Sequence, residues 1–357
     1  MSARFLTVVL ERAFNMRDGF GREIDYMRIS VIDSCNLNCY YCNPCDNNEH
    51  CHALNILSVK EVLCIVRAAT RLGIKHFRLT GGEPLLHPQI DEMVSQIKKI
   101  PGVSSVSLTT NAVLLAQHAK WLKEAGIDSI NVSLDTIDAS EYERITKKPL
   151  LEEVKHGINA AIECGIRVKI NVVLTPQTDV VALTRYVAKK GTDIRFIEMM
   201  PVGEGHTNGV EPYKKVIGTL SKLYGEPCRI NTEKTKEINS GNDKRKIPDN
   251  GPAEYYIFPE LGIRVGLIQA IHGKFCDTCN RIRVTADGRL MPCLGSSVTM
   301  DLVPDSWDFA DDAEKDFSIV RALRAAIKAK PGCHNFNDNA VTYTKTTETK
   351  TVETKTT

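Results

Sequence analysis

Apolar residues recur along the N-terminal part of this chain with two alternating periods. Segments with the apolar stripe of an amphipathic helix lie at 59–72, 90–99, 115–125, 151–164 and 180–190. Short apolar runs typical of strands lie at 28–33, 76–80, 104–110, 129–135, 167–174 and 193–199. Strands that alternate with helices predict an α/β fold in which helices cover a parallel sheet.

Local signals support the helix boundaries. Ser58 precedes the first helical segment and Glu61 follows three residues later, which is the pattern of a capping box. Gly73, Gly126 and Gly165 each follow a helical segment, where glycine commonly ends a helix. Six strand–helix units suit an incomplete (β/α)6 TIM-like barrel, whose open side would admit a large substrate.

The pattern changes after residue 202. A helical segment at 216–224 precedes a polar stretch at 231–251, which we expect to form an exposed loop. Short strands follow at 255–258, 262–270, 281–285 and 290–292, with a hairpin turn at 286–288, and then a helix at 317–329. Repeated Thr, Lys and Glu predict disorder from 341 onward. We therefore divide the chain into a partial barrel at 1–202, a smaller C-terminal extension at 203–340 and a disordered tail at 341–357.

Composition limits the function classes. A chain of 357 residues can form one large domain and a smaller extension, and its net charge of +2 produces no field that would favour nucleic acid. No apolar run approaches the roughly 20 residues of a membrane-spanning helix. The 12 cysteines do not call for a disulfide framework in a chain of this length. These features predict a protein of the reducing cytoplasm.

Three cysteines in one short run after the first strand carry the strongest chemical signal: Cys35, Cys39 and Cys42. Their C-x3-C-x2-C spacing brings three thiolates into one loop, and soft thiolates suit iron–sulfur clusters. Three ligands would leave one iron of a [4Fe–4S] cluster open to the amino and carboxylate groups of S-adenosylmethionine. An electron from the cluster would then cleave the sulfonium and release a 5′-deoxyadenosyl radical. A zinc site is the alternative, although C-x2-C pairs are the usual zinc spacing.

A second set of cysteines lies far away in the sequence. Cys276, Cys279 and Cys293 have the spacing C-x2-C-x13-C, again without a fourth cysteine or histidine at a regular offset. Two such sets favour two [4Fe–4S] clusters, the second with an iron open to substrate. Because His272 lies close by, a Cys3His zinc site is the alternative.

These motifs resemble those of one family. The runs that carry the resemblance are GREIDYMRISVIDSCNLNCYYCNP, FRLTGGEPLL, SLTTN, NVSLDT, VKINVVL, IRFIEMMPV and HGKFCDTCNRIRVTADGRLMPC. Together they are similar to the GTP 3′,8-cyclases of molybdenum-cofactor biosynthesis, the MoaA family of radical S-adenosylmethionine enzymes. The match covers residues 21–294. The first cysteine motif indicates only the superfamily, whereas its combination with the second is far more specific.

The resemblance also implies which residues contact S-adenosylmethionine. In the run 80–84, paired glycines allow close backbone approach and a carboxylate can accept from the methionine ammonium. Asn111 and Ser133, at the ends of the third and fourth strands, can hydrogen-bond the same cofactor. Tyr41 and Met200 resemble two family positions that contact its adenosine part. In this chain these cofactor-binding residues are Tyr41, Gly82, Glu83, Asn111, Ser133 and Met200.

Cationic residues on the strands carry the prediction for the substrate. Arg28 and Arg78 stand in otherwise apolar strands, where a buried anionic ligand is a natural partner. An internal salt bridge is the alternative for any one of these cations. By resemblance the GTP-binding residues are Arg28, Arg78, Lys169, Arg281 and Arg283, with Thr109 and Arg195 as lesser candidates, and Arg281 and Arg283 are also the catalytic candidates.

The resemblance implies conversion of GTP to (8S)-3′,8-cyclo-7,8-dihydroguanosine 5′-triphosphate. The reaction would begin with abstraction of the ribose C3′ hydrogen and close by attack on guanine C8. The implied partners are GTP, an electron donor and a downstream cyclic pyranopterin monophosphate synthase, and a homodimer is compatible with the resemblance. Neither nucleic acid nor a membrane is an expected partner.

The last residues of the chain depart from the family pattern. The family ends in a double glycine that supports catalysis, whereas Gly332 is the last glycine here. Two alternatives therefore stay open. One is a diverged relative that acts on another nucleotide or on a peptide, and the other is a non-catalytic nucleotide-binding relative.

Overall fold

The computed structural model describes residues 16–42, 55–202, 205, 209–230, 251–296, 298–302, 312–334 and 336. Strands and helices alternate in its N-terminal part, as the sequence pattern predicts. The strands are β1 (Tyr26–Ser30), β2 (His76–Thr80), β3 (Ser105–Thr110), β4 (Ser129–Ser133), β5 (Val168–Val173) and β6 (Asp193–Ile197). The helices are α1 (Val59–Arg71), α2 (Ile90–Lys98), α3 (Leu115–Glu124), α4 (Ala139–Thr146), α5 (Leu151–Glu163) and α6 (Val180–Lys189).

Most of the predicted bounds agree with these elements within two residues. The exception is the end of β1, which falls at Ser30 rather than at residue 33. The short helix α4 was not predicted, and Asp138 caps it by accepting a hydrogen bond from Glu141 N at 2.8 Å. No helix among the described residues combines the length and the apolar character that a membrane crossing requires.

The predicted extension adds strands to both edges of the same sheet. Its elements are α7 (Gly218–Tyr224) after a π-helical turn (Tyr213–Ile217), β7 (Cys228–Ile230), β8 (Glu254–Ile257), β9 (Arg264–Ile268), β10 (Arg281–Val284), β11 (Arg289–Met291), β12 (Met300–Asp301) and α8 (Asp312–Lys328). The strand order is β12-β11-β10-β1-β2-β3-β4-β5-β6-β9-β8-β7. The strands from β10 to β9 in this order are parallel, so β9 and β10 extend the six-stranded partial barrel.

Two predicted segments lie outside the described residues. These are most of the polar stretch, from 231 to 250, and the tail from 341 to 357. The division of the chain at residue 202 stays a prediction.

The sheet has an apolar outer face and a polar inner face. In β2, Phe77 and Leu79 are fully buried in the main core with helix residues such as Ile65 of α1. His76 and Arg78 alternate with them and face the other side of the sheet. Because each large apolar side chain stabilises the fold by about 1.5–3 kcal/mol when it is buried, the helix-covered face holds the sheet together.

The predicted caps and turns are present. Ser58 Oγ accepts from Glu61 N at 3.3 Å and Glu61 Oε2 accepts from Ser58 N at 2.6 Å, which completes the capping box. The three glycines predicted to end helices have φ values of 87°, 87° and 67°, in the left-handed region that favours glycine. The hairpin turn at 286–288 joins β10 to the antiparallel strand β11.

Two glycines join the end of β2 to the chain that leaves β1. Gly82 N donates to Ile32 O and the next backbone N–H donates to Ser34 O, both at 2.8 Å. A Cβ atom on Gly82 would lie 2.2 Å from Ser34 O, and one on Gly81 would lie 2.3 Å from Ile32 O. The glycine pair therefore sets the start of the first cysteine loop by close backbone contact.

We expect Gly82→Ala to lower the free energy of unfolding by about 1–3 kcal/mol, because the added methyl group meets backbone carbonyls that cannot rotate away. Gly218→Ala is the matched control. Gly218 has a helical φ of −61° and open space around its Cβ position, so alanine should stabilise α7 by up to about 1 kcal/mol. Urea-induced unfolding measures both changes. Equal stability of the two variants would contradict the close-contact role of Gly82.

Candidate active site

Strands of the parallel sheet surround one cavity of about 670 Å³. Because side chains alternate along a strand, every second residue faces this lumen. Tyr26 and Arg28 line it from β1, Ile268 lines it from β9 and Arg283 lines it from β10. A lumen of this size lies in the range of small-molecule sites, so it suits a ligand as large as a nucleotide.

The lumen carries an excess of positive charge. Strand register places Arg283, Arg28 and Arg78 side by side across β10, β1 and β2. Burial lowers the pKa of Arg28 well below its usual value, and the charges of Arg283 and Arg78 add to this effect. Arg28 Nε has no hydrogen-bond partner among the described residues. The cationic lining residues are Arg28, Arg78, Arg167, Lys169, Arg195, Arg281, Arg283 and Lys330, whereas Asp128 is the one described carboxylate of the lining.

Hydroxyl groups orient the cations of this lumen. Arg78 Nε donates to the Tyr26 hydroxyl, and Arg78 Nη1 lies 3.3 Å from Thr109 Oγ1. Burial opposes ionisation of Tyr26, but Arg78 and Arg28 lower its pKa overall. Arg195 Nε donates to the Tyr255 hydroxyl at 2.6 Å. Neutral hydroxyls fix a guanidinium without cancelling its charge, so the lumen keeps its attraction for anions.

The second cysteine set opens into the same lumen, because all three of its cysteines contribute to the lining. Arg281 Nη2 lies 3.7 Å from Cys279 Sγ. Although burial opposes ionisation of Cys279, the charges of Arg281 and Lys330 lower its pKa to about 7. A thiol that ionises near neutral pH is suited to ligate a metal cluster, since the thiolate is the ligand.

The zinc alternative at this set is not supported. His272 Nδ1 contacts Glu198 Oε1, and Glu198 Oε2 accepts from His272 N at 3.1 Å and from Ile271 N at 2.7 Å. No three Cys, His, Asp or Glu side chains among the described residues are grouped closely enough to hold a metal ion. The described side chains therefore do not provide a Cys3His arrangement with His272 at this set.

Backbone hydrogen bonds hold the first cysteine loop at two places. The glycine pair contacts its beginning, and the end of α4 contacts its middle. The N–H groups of Asn38 and Tyr40 donate to the carbonyls of Thr146 and Ile145 at 3.0 and 3.1 Å. These carbonyls lie at the end of α4, where the last turn of a helix leaves acceptors unused. The unpredicted helix α4 therefore positions the loop that carries the first three thiols.

The thiols of this loop interact with one another. Burial raises the pKa of Cys39 far above its usual value, and the charges of Asp135 and Cys42 add to the shift. Burial and the charge of Cys35 raise the pKa of Cys42. The Tyr41 hydroxyl donates to Asp135, whose pKa burial raises to about 6. Bound iron would relieve the mutual repulsion of three thiolates, so the loop fits a tricysteinyl cluster.

Glu83 is buried and joins the ends of β2 and β3. Its Oε1 accepts from Leu85 N at 3.0 Å and from Thr110 Oγ1 at 2.7 Å, and its Oε2 accepts from Asn111 N at 2.7 Å. Burial raises the pKa of Glu83. Since a carboxylate offers about four acceptor positions, one is left for an ammonium group. Glu83 therefore links the chain after β2 to the end of β3 through these three hydrogen bonds.

The structure divides the predicted site residues into two neighbouring groups. The lumen brings together the residues predicted for GTP, the second cysteine set and one residue predicted for adenine: Arg28, Arg78, Thr109, Lys169, Arg195, Met200, Cys276, Cys279, Arg281, Arg283 and Cys293. The other residues are not part of this lining and lie in the first cysteine loop or near the carboxyl ends of β2, β3 and β4: Cys35, Cys39, Tyr41, Cys42, Gly82, Glu83, Asn111 and Ser133. Their contacts with cofactor and substrate stay predictions.

The sequence reasoning missed several lumen residues. Tyr26 and His76 could have been found, since each lies two positions before a predicted arginine and shares its strand face. Lys330 follows α8 and reaches the lumen from far along the chain. No local pattern could have identified it.

Two families match successive parts of the chain. The Radical SAM superfamily matches residues 29–182, and Molybdenum Cofactor Synthesis C matches residues 192–336. Curated relatives with the name GTP 3′,8-cyclase align over nearly the whole chain. The one from Clostridium perfringens is 36% identical over 324 residues, which cover 90% of this chain and 95% of the relative. The one from Petrotoga mobilis is 35% identical over 331 residues, covering 91% and 96%.

Solved structures share the fold at low sequence identity. SuiB of Streptococcus suis, bound to the precursor peptide SuiA, has a TM-score of 0.54 at 15% identity, and the match covers 82% of this chain and 62% of that one. The protein anSMEcpe with bound AdoMet has a TM-score of 0.51 at 17% identity, covering 85% and 84%. These similarities confirm the barrel-like fold alone. The sequence relatives, at 36% identity over most of both proteins, show that the chain belongs to the GTP 3′,8-cyclase family of radical S-adenosylmethionine enzymes.

Proposed function

We propose that this protein cyclises GTP to (8S)-3′,8-cyclo-7,8-dihydroguanosine 5′-triphosphate, the first step of molybdenum cofactor biosynthesis. The shared name of its relatives supports this reaction. The observation that carries the proposal is the row of Arg283, Arg28 and Arg78 in a lumen that also holds the second cysteine set. A triphosphate carries negative charges that suit a row of three guanidinium groups, whereas a peptide backbone does not.

The residues of the lumen bind and orient the substrate. Arg28, Arg78 and Arg283 hold the triphosphate, because guanidinium forks match phosphate oxygens. Arg281 lies beside Cys279 and places the purine end near the second cysteine set. Lys169 and Arg195 complete the cationic wall on β5 and β6, and Thr109 reaches it through Arg78.

Two [4Fe–4S] clusters and S-adenosylmethionine are the cofactors, and when bound they supply one-electron radical chemistry. Cys35, Cys39 and Cys42 would hold the first cluster, and the second cysteine set would hold the other. Asn111, at the end of β3, lies 2.7 Å from Asn36 Oδ1 in the first cysteine loop, so S-adenosylmethionine would lie between that loop and the lumen. The barrel wall around the lumen keeps bulk water away from the substrate.

The proposed reaction implies three partners. They are an electron donor, a second copy of this chain in a homodimer, and a downstream cyclic pyranopterin monophosphate synthase that takes the product. The proposed location is the cytoplasm.

Anaerobic reconstitution should load about eight iron atoms per chain, the content of two [4Fe–4S] clusters. Cys279→Ala should halve the iron and preserve reductive cleavage of S-adenosylmethionine, because the first cysteine loop is intact. Cys39→Ala should also halve the iron but abolish cleavage. Iron analysis and a 5′-deoxyadenosine assay measure both effects. Stoichiometric zinc at the second cysteine set would contradict the two-cluster assignment.

Arg28→Met should weaken GTP binding by about 10- to 100-fold, because hydrogen bonds to charged groups contribute about 1.5–3 kcal/mol. The substrate-free protein should be no less stable to heat, since the change removes a cation that faces other cations. Arg144→Met is the control, as Arg144 is exposed and pairs with Glu141 at 2.7 Å. Calorimetric titration measures the GTP affinity of both variants, and thermal unfolding measures their stability. Unchanged GTP affinity in Arg28→Met would redirect the proposal to another substrate.

Incubation of the reconstituted protein with GTP, S-adenosylmethionine and dithionite should yield the 3′,8-cyclised nucleotide, identified by mass spectrometry. The cations and the second cysteine set line the lumen where GTP would bind. The first cysteine set lies outside that lining and would bind the other cluster and S-adenosylmethionine. Tight GTP binding without any cyclised product would instead identify a non-catalytic relative.

A further inference from the structure

A short N-terminal hairpin carries a buried ion pair. Arg17 and Glu23 form an isolated antiparallel bridge, and Asp18 Oδ1 accepts from Phe20 N at 2.8 Å and Arg22 N at 3.0 Å. The side chains of Arg22 and Asp18 are 7% and 0% exposed, and Arg22 Nε lies 2.5 Å from Asp18 Oδ2. A buried guanidinium tied in this way has one fixed orientation.

Arg22 directs its remaining donors at three backbone carbonyls far away in the sequence. Arg22 Nη1 donates to Cys276 O at 2.7 Å and to Gly332 O at 2.9 Å, and Arg22 Nη2 donates to Pro331 O at 2.6 Å. The first acceptor belongs to the second cysteine set, and the other two belong to the segment that follows α8. A planar guanidinium is the side chain that can serve several fixed acceptors at once.

Lys330 connects the other two cysteines of the set. The residue is 3% exposed, and its Nζ donates to Arg281 O and Pro292 O, both at 2.8 Å. Arg281 follows Cys279 by two positions, and Pro292 directly precedes Cys293. Lys330 therefore joins the beginning of β10 to the chain that leaves β11.

We propose that Arg22 and Lys330 are positioning residues that hold the second cysteine set in the arrangement required for a cluster that binds GTP. This inference rests on the proposed function and deepens it, because it names what fixes the substrate-side cluster site. Asp18 orients Arg22, so we call Asp18, Arg22 and Lys330 the clamp. Arg22 and Lys330 donate to backbone carbonyls beside or within the cysteine set, and Asp18 acts through Arg22.

The cysteines need the clamp because they lie in or beside very short elements of secondary structure. Cys276 begins a single 3-10 turn, Cys276–Thr278, and Cys293 follows the three-residue strand β11. Such short elements have few internal hydrogen bonds to fix three thiols relative to one another. The segment after Lys330 is itself anchored, since His334 Nε2 lies 2.8 Å from Ala270 O. The clamp therefore ties the weakly fixed cysteine segments to an anchored part of the chain.

Two variants test the clamp after anaerobic reconstitution. Arg22→Lys keeps the positive charge beside Asp18 but cannot reach three carbonyls, and Lys330→Met keeps the length of the side chain but removes its donors. Each should retain at least about four iron atoms and parental cleavage of S-adenosylmethionine, which report an intact first cluster. The electron paramagnetic resonance signal of the reduced second cluster should be lost by at least about half. The GTP-induced change in the remaining signal should require at least about tenfold more GTP.

Lys328→Met is the matched control, because Lys328 is exposed in the last turn of α8 and loses the same charge. It should keep the parental iron content, signal and GTP midpoint. Parental values in Arg22→Lys and Lys330→Met would overturn the clamp. Loss of both clusters together with cleavage would overturn it as well, since the residues would then support folding in general. A parent chain without a second cluster would overturn the proposed function itself, which the parental measurement reveals separately.

Discussion

The polar, cation-rich inner face of the sheet is the constraint to which the packing of the rest of the structure conforms. Neighbouring strands place the guanidinium groups of Arg283, Arg28 and Arg78 at opposed positions, where like charges destabilise a sheet. The buried apolar contacts that stabilise the barrel lie on the outer face of the sheet. Phe77 and Leu79 show this arrangement, because they pack beneath the helices while their strand neighbours face the lumen. A barrel that is stabilised from outside can keep a charged interior for an anionic substrate.

The two cysteine sets lie in opposite electrostatic surroundings. Asp135 lies near Cys39 and helps to keep its proton bound, whereas Arg281 and Lys330 favour the thiolate of Cys279. Net charge around a cluster is one of the factors that set its reduction potential. Cationic neighbours such as Arg281 and Lys330 would favour the more negative reduced state of a cluster held by the second set. The same cations line the lumen, so the charge around the second cysteine set and the charge of the lumen come from shared residues.

The two matched families do not correspond to two separate compact units. The second match begins at residue 192, just before β6, although β6 pairs with β5 inside the barrel. At the other edge, β1 pairs with β10 of the second match. The lumen is therefore complete only when strands of both parts are in place. Arg22 adds a further connection, since it lies before β1 and holds the second cysteine set.

The sequence by itself determined the elements and the chemistry of this protein. Apolar periods of two and of 3.6 residues and capping residues are local signals, so the αβ units could be read almost to their bounds. Thiol spacing within each motif is equally local, and it indicated both cysteine sets. Helix α4 was not predicted because it is short and mostly polar. Its contact with the first cysteine loop exists only after folding. Only the tertiary structure decided that β9 and β10 extend the parallel sheet, that Arg283 lies beside Arg28, and that Arg22 reaches Cys276 across 254 positions. Such contacts leave no periodic trace in the sequence, because strand order and register are set by the packing of the whole barrel and not by neighbouring residues.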